Sequence, residues 1–175
     1  MSQSDEVMFE RIALIGVGLI GSSISHAARR ANLASDIVGS SATPATREKA
    51  EALGLVSKAF ELAADAVNDT EHVVLCTPVG VLVKVAEEIG PHLKPGTIVT
   101  DVGSVKAAVV RDVAPHMPEG VHFIPGHPIA GTEQSGPEAG FAELFDGRWC
   151  ILTPDAVTDR MALAKLETFF DNRAA

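Results

Sequence analysis

The chain has 175 residues, of which 46% are hydrophobic and 21% charged, and its formal net charge is −9 at pH 7. This balance predicts a globular fold with a substantial core and argues against nucleic-acid and anionic-membrane partners, which select a basic face. The N-terminal sequence holds no apolar signal segment, no stretch approaches membrane-spanning length, and the two cysteines have no metal-ligand spacing, so we expect a cytoplasmic protein with reduced thiols and no metal.

Short apolar runs alternate with runs of helical periodicity along the chain. Predicted strands are 11–18, 36–40, 72–78, 97–104, 121–126 and 149–154, and predicted helices are 19–31, 43–54, 79–90, 105–116 and 159–170. The strand-like runs lack clean polar alternation, which is typical of strands covered on both faces. With helices as the crossovers, the pattern predicts an α/β fold with a doubly wound, mostly parallel sheet.

The first predicted strand ends in a G-x-G-x-x-G turn formed by Gly16, Gly18 and Gly21. In a βαβ unit the first glycine permits the tight turn, the second lets the backbone approach a pyrophosphate, and the third lets the helix pack close to the strand. Free N–H groups around Leu19 and Ile20, at the start of the helix, would face the phosphates. We therefore predict a bound dinucleotide; the alternative is a glycine-rich turn without a ligand.

The end of the second strand bears on the choice of cofactor. An Asp or Glu there would hold the ribose 2′-hydroxyl of NAD, but Ser40 and Ser41 occupy this position and the stretch GSSATPATR has no carboxylate. The hydroxyls of Ser40, Ser41 and Thr43 can donate hydrogen bonds, and Arg47 could reach a 2′-phosphate. The sequence is therefore compatible with NAD and with NADP as the cofactor.

Three later strands end in polar or helix-starting residues. In CTPVG we expect Thr77 to cap a helix with Pro78 and then Val79 in its first turn; TDVGSVK contributes Asp101, Gly103 and Ser104, and PGHPIAGT contributes His127. Because ligands of such sheets lie along the carboxyl ends of the strands, these three strand ends could surround the nicotinamide end of a dinucleotide.

His127 is the candidate catalytic base. Gly126 and Pro128 restrict its backbone, and a preorganised imidazole suits general base catalysis. Ser104 is expected to cap the helix that starts at Val105, whatever else it does. The remaining histidines (His26, His72, His92, His116 and His122) are interpreted as structural.

Four stretches together resemble the prephenate/arogenate (cyclohexadienyl) dehydrogenase family of tyrosine biosynthesis. They are ALIGVGLIGSS, LCTPVG, VTDVGSVK and IPGHPIAGTEQSGPEAGFAELFDGRWCILTP, and the resemblance runs from about Phe9 to at least Pro154. The resemblance implies an oxidative decarboxylation in which hydride leaves C4 of a cyclohexadienol for the nicotinamide while the ring carboxylate departs as carbon dioxide. It also implies that His127 is the catalytic histidine of the Gly-His-Pro motif and that Ser104 assists it near the substrate hydroxyl.

The same resemblance sets expectations about domains and partners. Residues 1–8 are expected to be a flexible N-terminus and residues 9–175 a Rossmann-type NAD(P)-binding domain. Members of the family continue into a helical domain that forms a homodimer and helps to bind the small-molecule substrate, prephenate or arogenate, and that domain is missing here. We therefore expect nucleotide binding with little turnover, and exposed apolar surface that promotes self-association.

Two other functions are compatible with parts of the pattern. A hydroxyacid or imine reductase also opens with a glycine-rich turn, although the GHPIAGTEQSGP segment fits it poorly. A nucleotide-binding regulatory module, or a truncated remnant without activity, would retain the turn and have no use for His127.

Overall fold

A computed structural model describes residues 7–172, which form a six-stranded parallel sheet with helices on both faces and a separate two-stranded ribbon. The strands of the sheet are β1 (Phe9–Ile15), β2 (Ala34–Ser40), β3 (Ala59–Phe60), β4 (His72–Leu75), β5 (Ile98–Asp101) and β6 (His122–Phe123), and those of the ribbon are β7 (Gly126–Pro128) and β8 (Cys150–Leu152). The helices are α1 (Leu19–Arg30), α2 (Pro44–Ala52), α3 (Ala63–Ala66), α4 (Leu82–Ile89), α5 (Lys106–Val113) and α6 (Arg160–Asn172). Of the expected flexible segment 1–8, residues 1–6 lie outside the described residues.

The sheet has the order β3-β2-β1-β4-β5-β6, and all of its strand pairs are parallel. The chain runs outward from β1 to β3 and then returns to place β4 on the other side of β1. The sheet thus changes direction between β1 and β4, which is where such folds bind ligands. The predicted doubly wound parallel sheet is confirmed.

Alternate residues of β1 point into two separate cores. Ile12 and Leu14 pack with α1 and α6, whereas Ala13 and Ile15 pack with α3, α4 and α5. Burial on both faces explains why the strands read as continuous apolar runs. His72 belongs to the first of these layers: it is fully buried, and its ring centroid lies 4.9 Å from that of Phe9 and 4.8 Å from that of Phe169.

The last two predicted strands, 121–126 and 149–154, do not both lie in the main sheet. The run 121–126 divides because the backbone ladder to β5 ends at the Ile124 N–H, which donates to the Val99 carbonyl oxygen, while the next N–H facing β5, that of Gly126, donates to the Asp101 side chain. Beyond Pro125, β7 pairs antiparallel with β8 outside the main sheet. The elements β3 and α3, of two and four residues, were not predicted because they are too short to show a period.

No helix among residues 7–172 is long and apolar enough to cross a membrane. Over the same residues, no group of three or more His, Cys, Asp or Glu side chains could hold a metal ion.

Candidate functional site

The glycine-rich turn connects β1 to α1 and packs against the end of β4. Gly16 has a φ of +96°, and a Cβ there would lie 3.0 Å from the Cys76 carbonyl carbon. At Gly21 a Cβ would lie 2.3 Å from the Gly16 carbonyl oxygen, so any side chain would force α1 away from the turn. The first and third glycines therefore have steric roles in the fold itself.

Gly18 differs from its two neighbours because its backbone faces open space. A Cβ at Gly18 would meet no atom within 4 Å, and the residue occupies the N-cap position of α1. The helix N-terminus behind it leaves N–H groups without partners inside the helix. A glycine with no intramolecular steric requirement at the mouth of a helix is suited to the close approach of a phosphate group.

A cleft of about 600 Å³ runs along the carboxyl ends of β1, β2 and β4, a volume suited to a small-molecule ligand. Seven residues of the predicted cofactor site line it: Gly16, Gly18, Leu19, Ser40, Ser41, Thr77 and Pro78. The cleft lining does not include the predicted residues Ile20, Gly21, Arg47, Val79 and Gly103. The sequence interpretation missed the lining residues Thr46 and Glu61 and the segment 134–136.

The segment 134–136 lines the cleft although it is far in sequence from the strand ends that form the rest of it. The chain leaves β7 after Pro128, passes through residues 134–136 and then packs on α1. Phe141 N–H donates to the Ser23 hydroxyl at 3.1 Å, and a Cβ at Gly140 would lie 2.0 Å from the Ser22 Oγ. The loop after His127 thus forms one wall of the cleft. This contact joins residues far apart in the chain, so it could not be predicted from local sequence patterns.

Thr77 presents a second sign that the cleft accepts a polar ligand. Its Oγ1 is buried and has no hydrogen-bond partner among the described residues, although a buried hydroxyl normally has one. The predicted capping role of Thr77 is wrong, because Pro78 occupies the N-cap position of a short 3-10 helix over Val79–Val81. The unused hydroxyl and the open space at Gly18 both fit a dinucleotide.

An ion pair between Arg47 and Glu61 lies next to Ser41, at the end of β2. Arg47 donates to the carbonyl oxygens of Ser41 at 2.6 Å and Ala42 at 3.0 Å, which ties the start of α2 to the loop. Its other terminal nitrogen lies 3.6 Å from a carboxylate oxygen of Glu61, the residue after β3. The sequence indicates that Arg47 could reach a 2′-phosphate, and in the structure the same side chain also contacts the loop and the Glu61 carboxylate.

A buried carboxylate organises the end of β5. Asp101 is fully buried, accepts hydrogen bonds from the N–H groups of Gly103 at 2.8 Å and Gly126 at 3.2 Å, and forms an ion pair with Lys106. The Lys106 ammonium also donates to the Gly126 carbonyl oxygen at 2.7 Å. Both polar backbone groups of Gly126 are held, and His127 follows directly. Lys106 is a further residue that the sequence interpretation missed, although it follows Ser104 by two positions.

The His127 side chain shares one face of the β7–β8 ribbon with apolar residues. His127 lies directly opposite Ile151, and Ile129 N–H donates to the Trp149 carbonyl oxygen at 2.8 Å. Residues opposite each other in an antiparallel pair project from the same face. His127 is half-buried, whereas Trp149 is 81% exposed. We call Ile129, Trp149 and Ile151 the apolar face of the ribbon.

Ser104 is close in sequence to Asp101 and Lys106 but takes no part in their hydrogen bonds. The residue is exposed, and no hydrogen bond links its hydroxyl to His127 among residues 7–172. Its predicted capping role is wrong, since Val105 takes the N-cap position of α5 with φ −108° and ψ 79°, and the helix begins at Lys106. Gly103 lies beside Val79, because a Cβ there would lie 3.1 Å from Val79 Cγ2.

Comparison with known proteins relates this geometry to one family. The family model described as "Prephenate dehydrogenase, nucleotide-binding domain" matches residues 24–175. The chain is similar to cyclohexadienyl dehydrogenase of Zymomonas mobilis, with 39% identity over 94% of this chain and 56% of the relative. It is also similar to prephenate dehydrogenase of Bacillus subtilis, with 32% identity over 91% of this chain and 43% of the relative.

Solved structures give the same relationship. A crystal structure of prephenate dehydrogenase from A. aeolicus in complex with hydroxyphenyl propionate and NAD+ matches with a TM-score of 0.86 and 30% identity, over 94% of this chain and 57% of that one. The Synechocystis arogenate dehydrogenase structure matches with a TM-score of 0.85 and 33% identity, over 94% and 57% of the two chains. The chain spans about half the length of the relatives it matches.

Proposed function

The chain belongs to the prephenate dehydrogenase family, and we propose that it provides the coenzyme site and the proton acceptor for oxidative decarboxylation of prephenate or arogenate with NAD(P). The observation that supports this most strongly is the placement of the Gly-His-Pro segment. Asp101 and Lys106 anchor Gly126 at the end of β5, two strands from the glycine turn in the sheet order. A dinucleotide bound at that turn could extend along the strand ends toward His127.

The coenzyme would be held mainly by backbone groups at the glycine turn. The N–H groups near Leu19 and Ile20 would bind the pyrophosphate at the start of α1. The buried Thr77 hydroxyl, with Pro78 and Val79 beyond it, would border the ribose and ring portions of the coenzyme. Gly103 packs against Val79 and leads from the cleft toward the base.

When bound, NAD(P) supplies the acceptor for the hydride that leaves C4 of the substrate. In the proposed reaction the His127 imidazole takes the proton of the 4-hydroxyl as that oxygen becomes a carbonyl. The ring carboxylate leaves as carbon dioxide, and its bonding electrons restore an aromatic ring. The phenolate oxygen then recovers the proton from His127, so atoms and charges balance without an added acid.

Ser104 would contribute a hydroxyl near the same substrate oxygen, from the exposed position before α5. Asp101 and Lys106 act as positioning residues in this proposal. They hold the backbone before His127, and catalytic groups lose rate steeply when they are displaced by about 1 Å.

The substrate would approach His127 from the apolar face of the ribbon, which is open to solvent. In a homodimeric dehydrogenase of this family, further residues would cover this face and bind the substrate carboxylates. Because about half of each relative lies outside the match, we expect the 175 residues by themselves to bind coenzyme with little turnover. We place the reaction in the cytoplasm, where the NAD(P) pool is available.

Calorimetric titration of the 175-residue chain with NAD and with NADP tests the proposed coenzyme site. We expect saturable binding of at least one coenzyme, and a weak, prephenate- or arogenate-dependent formation of reduced coenzyme when chain and coenzyme are equimolar. A chain that binds neither NAD nor NADP would contradict the proposal. Normal coenzyme binding with equal activity in the wild type and His127→Asn would also contradict it.

A further inference from the structure

The residue that holds the ribose 2′-hydroxyl is normally the acid at the end of β2, and here that position carries Ser41. A carboxylate, that of Glu61, follows β3, the strand beside β2. The Ser41 N–H donates a hydrogen bond to the Phe60 carbonyl oxygen at 3.0 Å. Glu61 is the next residue after Phe60, so this contact holds Glu61 close to Ser41. Both Ser41 and Glu61 line the cleft.

From this juxtaposition we propose that Glu61 is the specificity-determining residue for the adenosine ribose and makes the site prefer NAD over NADP. The inference rests on the proposed coenzyme site. Glu61 would accept a hydrogen bond from the ribose 2′-hydroxyl, the role that an acid at the end of β2 ordinarily performs. A 2′-phosphate at the same place would meet the negative charge of Glu61 and be repelled.

The contacts of Arg47 support the same preference. Its side chain is only 18% exposed, and it donates to two loop carbonyl oxygens. Its remaining terminal nitrogen lies 3.6 Å from Glu61, so a 2′-phosphate would have to compete with a resident carboxylate for that cation. The other acidic residue on the cleft lining, Glu88, accepts a hydrogen bond from the N–H of Ala64 on α3. Glu61, which is 72% exposed, is the carboxylate placed to contact the ribose.

Glu61→Gln tests the inference because it keeps the shape of the side chain while removing its charge. For the wild type we expect NAD to bind at least about tenfold more tightly than NADP, a difference that calorimetry measures directly. In Glu61→Gln we expect the Kd for NADP to fall about tenfold, because Arg47 becomes available to the phosphate, and the Kd for NAD to rise severalfold.

Glu48→Gln is the matched control. Glu48 is an exposed acid on α2, adjacent in sequence to Arg47, and is not part of the cleft lining. It removes the same charge and should leave both affinities unchanged. Thermal unfolding of both variants should match the wild type, since Glu61 is a surface side chain.

The outcomes separate this inference from the proposed function. If the wild type binds NAD but Glu61→Gln has the same NAD and NADP affinities as Glu48→Gln, the role of Glu61 is wrong and the coenzyme site stands. Tighter binding of NADP by the wild type would overturn the inference in the same way. If the wild type binds neither coenzyme, both the inference and the proposed function are overturned.

Discussion

The Lys106 ammonium lies 2.7 Å from the carbonyl oxygen of Gly126, the residue before His127. The same ammonium neutralises the buried Asp101 carboxylate. One side chain therefore compensates a buried charge and anchors the strand that carries the candidate base.

Lys106→Met should destabilise the chain by about 3 kcal/mol, because breaking a buried ion pair leaves the other charge uncompensated. Urea unfolding followed by circular dichroism measures this change. The double variant Asp101→Asn with Lys106→Met should recover part of the loss, since no bare charge remains. If Lys106→Met is as stable as the wild type, the contacts of Lys106 do not have the anchoring role described above.

Gly18→Ala separates ligand binding from folding at the glycine turn. A Cβ at Gly18 meets no protein atom within 4 Å, so the thermal midpoint should stay within about 2 °C of the wild type. Coenzyme affinity should fall at least about tenfold, because the methyl group would occupy space needed by the pyrophosphate. Gly80→Ala, at another glycine with no atom within 4 Å and outside the cleft, should change neither property. Unaltered coenzyme affinity in Gly18→Ala would contradict phosphate binding at this turn.

Gly21→Ala should show the opposite behaviour. Its Cβ would lie 2.3 Å from a backbone oxygen, and forced overpacking of this kind costs about 1–3 kcal/mol. Chemical unfolding of Gly21→Ala should therefore show a clear loss of stability before any ligand is added. Full retention of stability would mean that α1 can move away from β1 more easily than the packing indicates.

His127→Asn should leave the Kd for the coenzyme within about twofold of the wild type, since backbone groups provide most of the proposed coenzyme contacts. Formation of reduced coenzyme in a single turnover with prephenate or arogenate should fall about 100-fold or more, the usual contribution of a general base. Absorbance at the wavelength of the reduced nicotinamide follows the reaction. A variant as active as the wild type would exclude His127 as the base.

The apolar face of the ribbon should promote association between copies of the chain. Sedimentation velocity at increasing concentration should show self-association that Trp149→Ser weakens. Val157→Ser is a suitable control, because Val157 is similarly exposed, at 87%, and is not part of that face. Equal effects of the two substitutions would indicate nonspecific adhesion.

Local sequence patterns were sufficient to predict the parallel sheet and the steric roles of Gly16 and Gly21. Both features depend on residues that are close in the chain, where the spacing of glycines and of buried apolar residues is visible in the sequence. The same local patterns could not predict that Glu61 lies beside Ser41, because this position depends on a two-residue strand that is too short to show a period. The cap predicted at Ser104 failed because the backbone remains non-helical through Val105.

The central claim is that a dinucleotide bound at the glycine turn places its nicotinamide beside His127. A crystal structure of the chain with its preferred coenzyme tests this claim most directly. We predict that the nicotinamide C4 lies roughly 6–7 Å from the nearer imidazole nitrogen, which leaves room for one substrate carbinol between them. A nicotinamide bound elsewhere, or an imidazole turned away from it and well beyond that distance, would contradict the account.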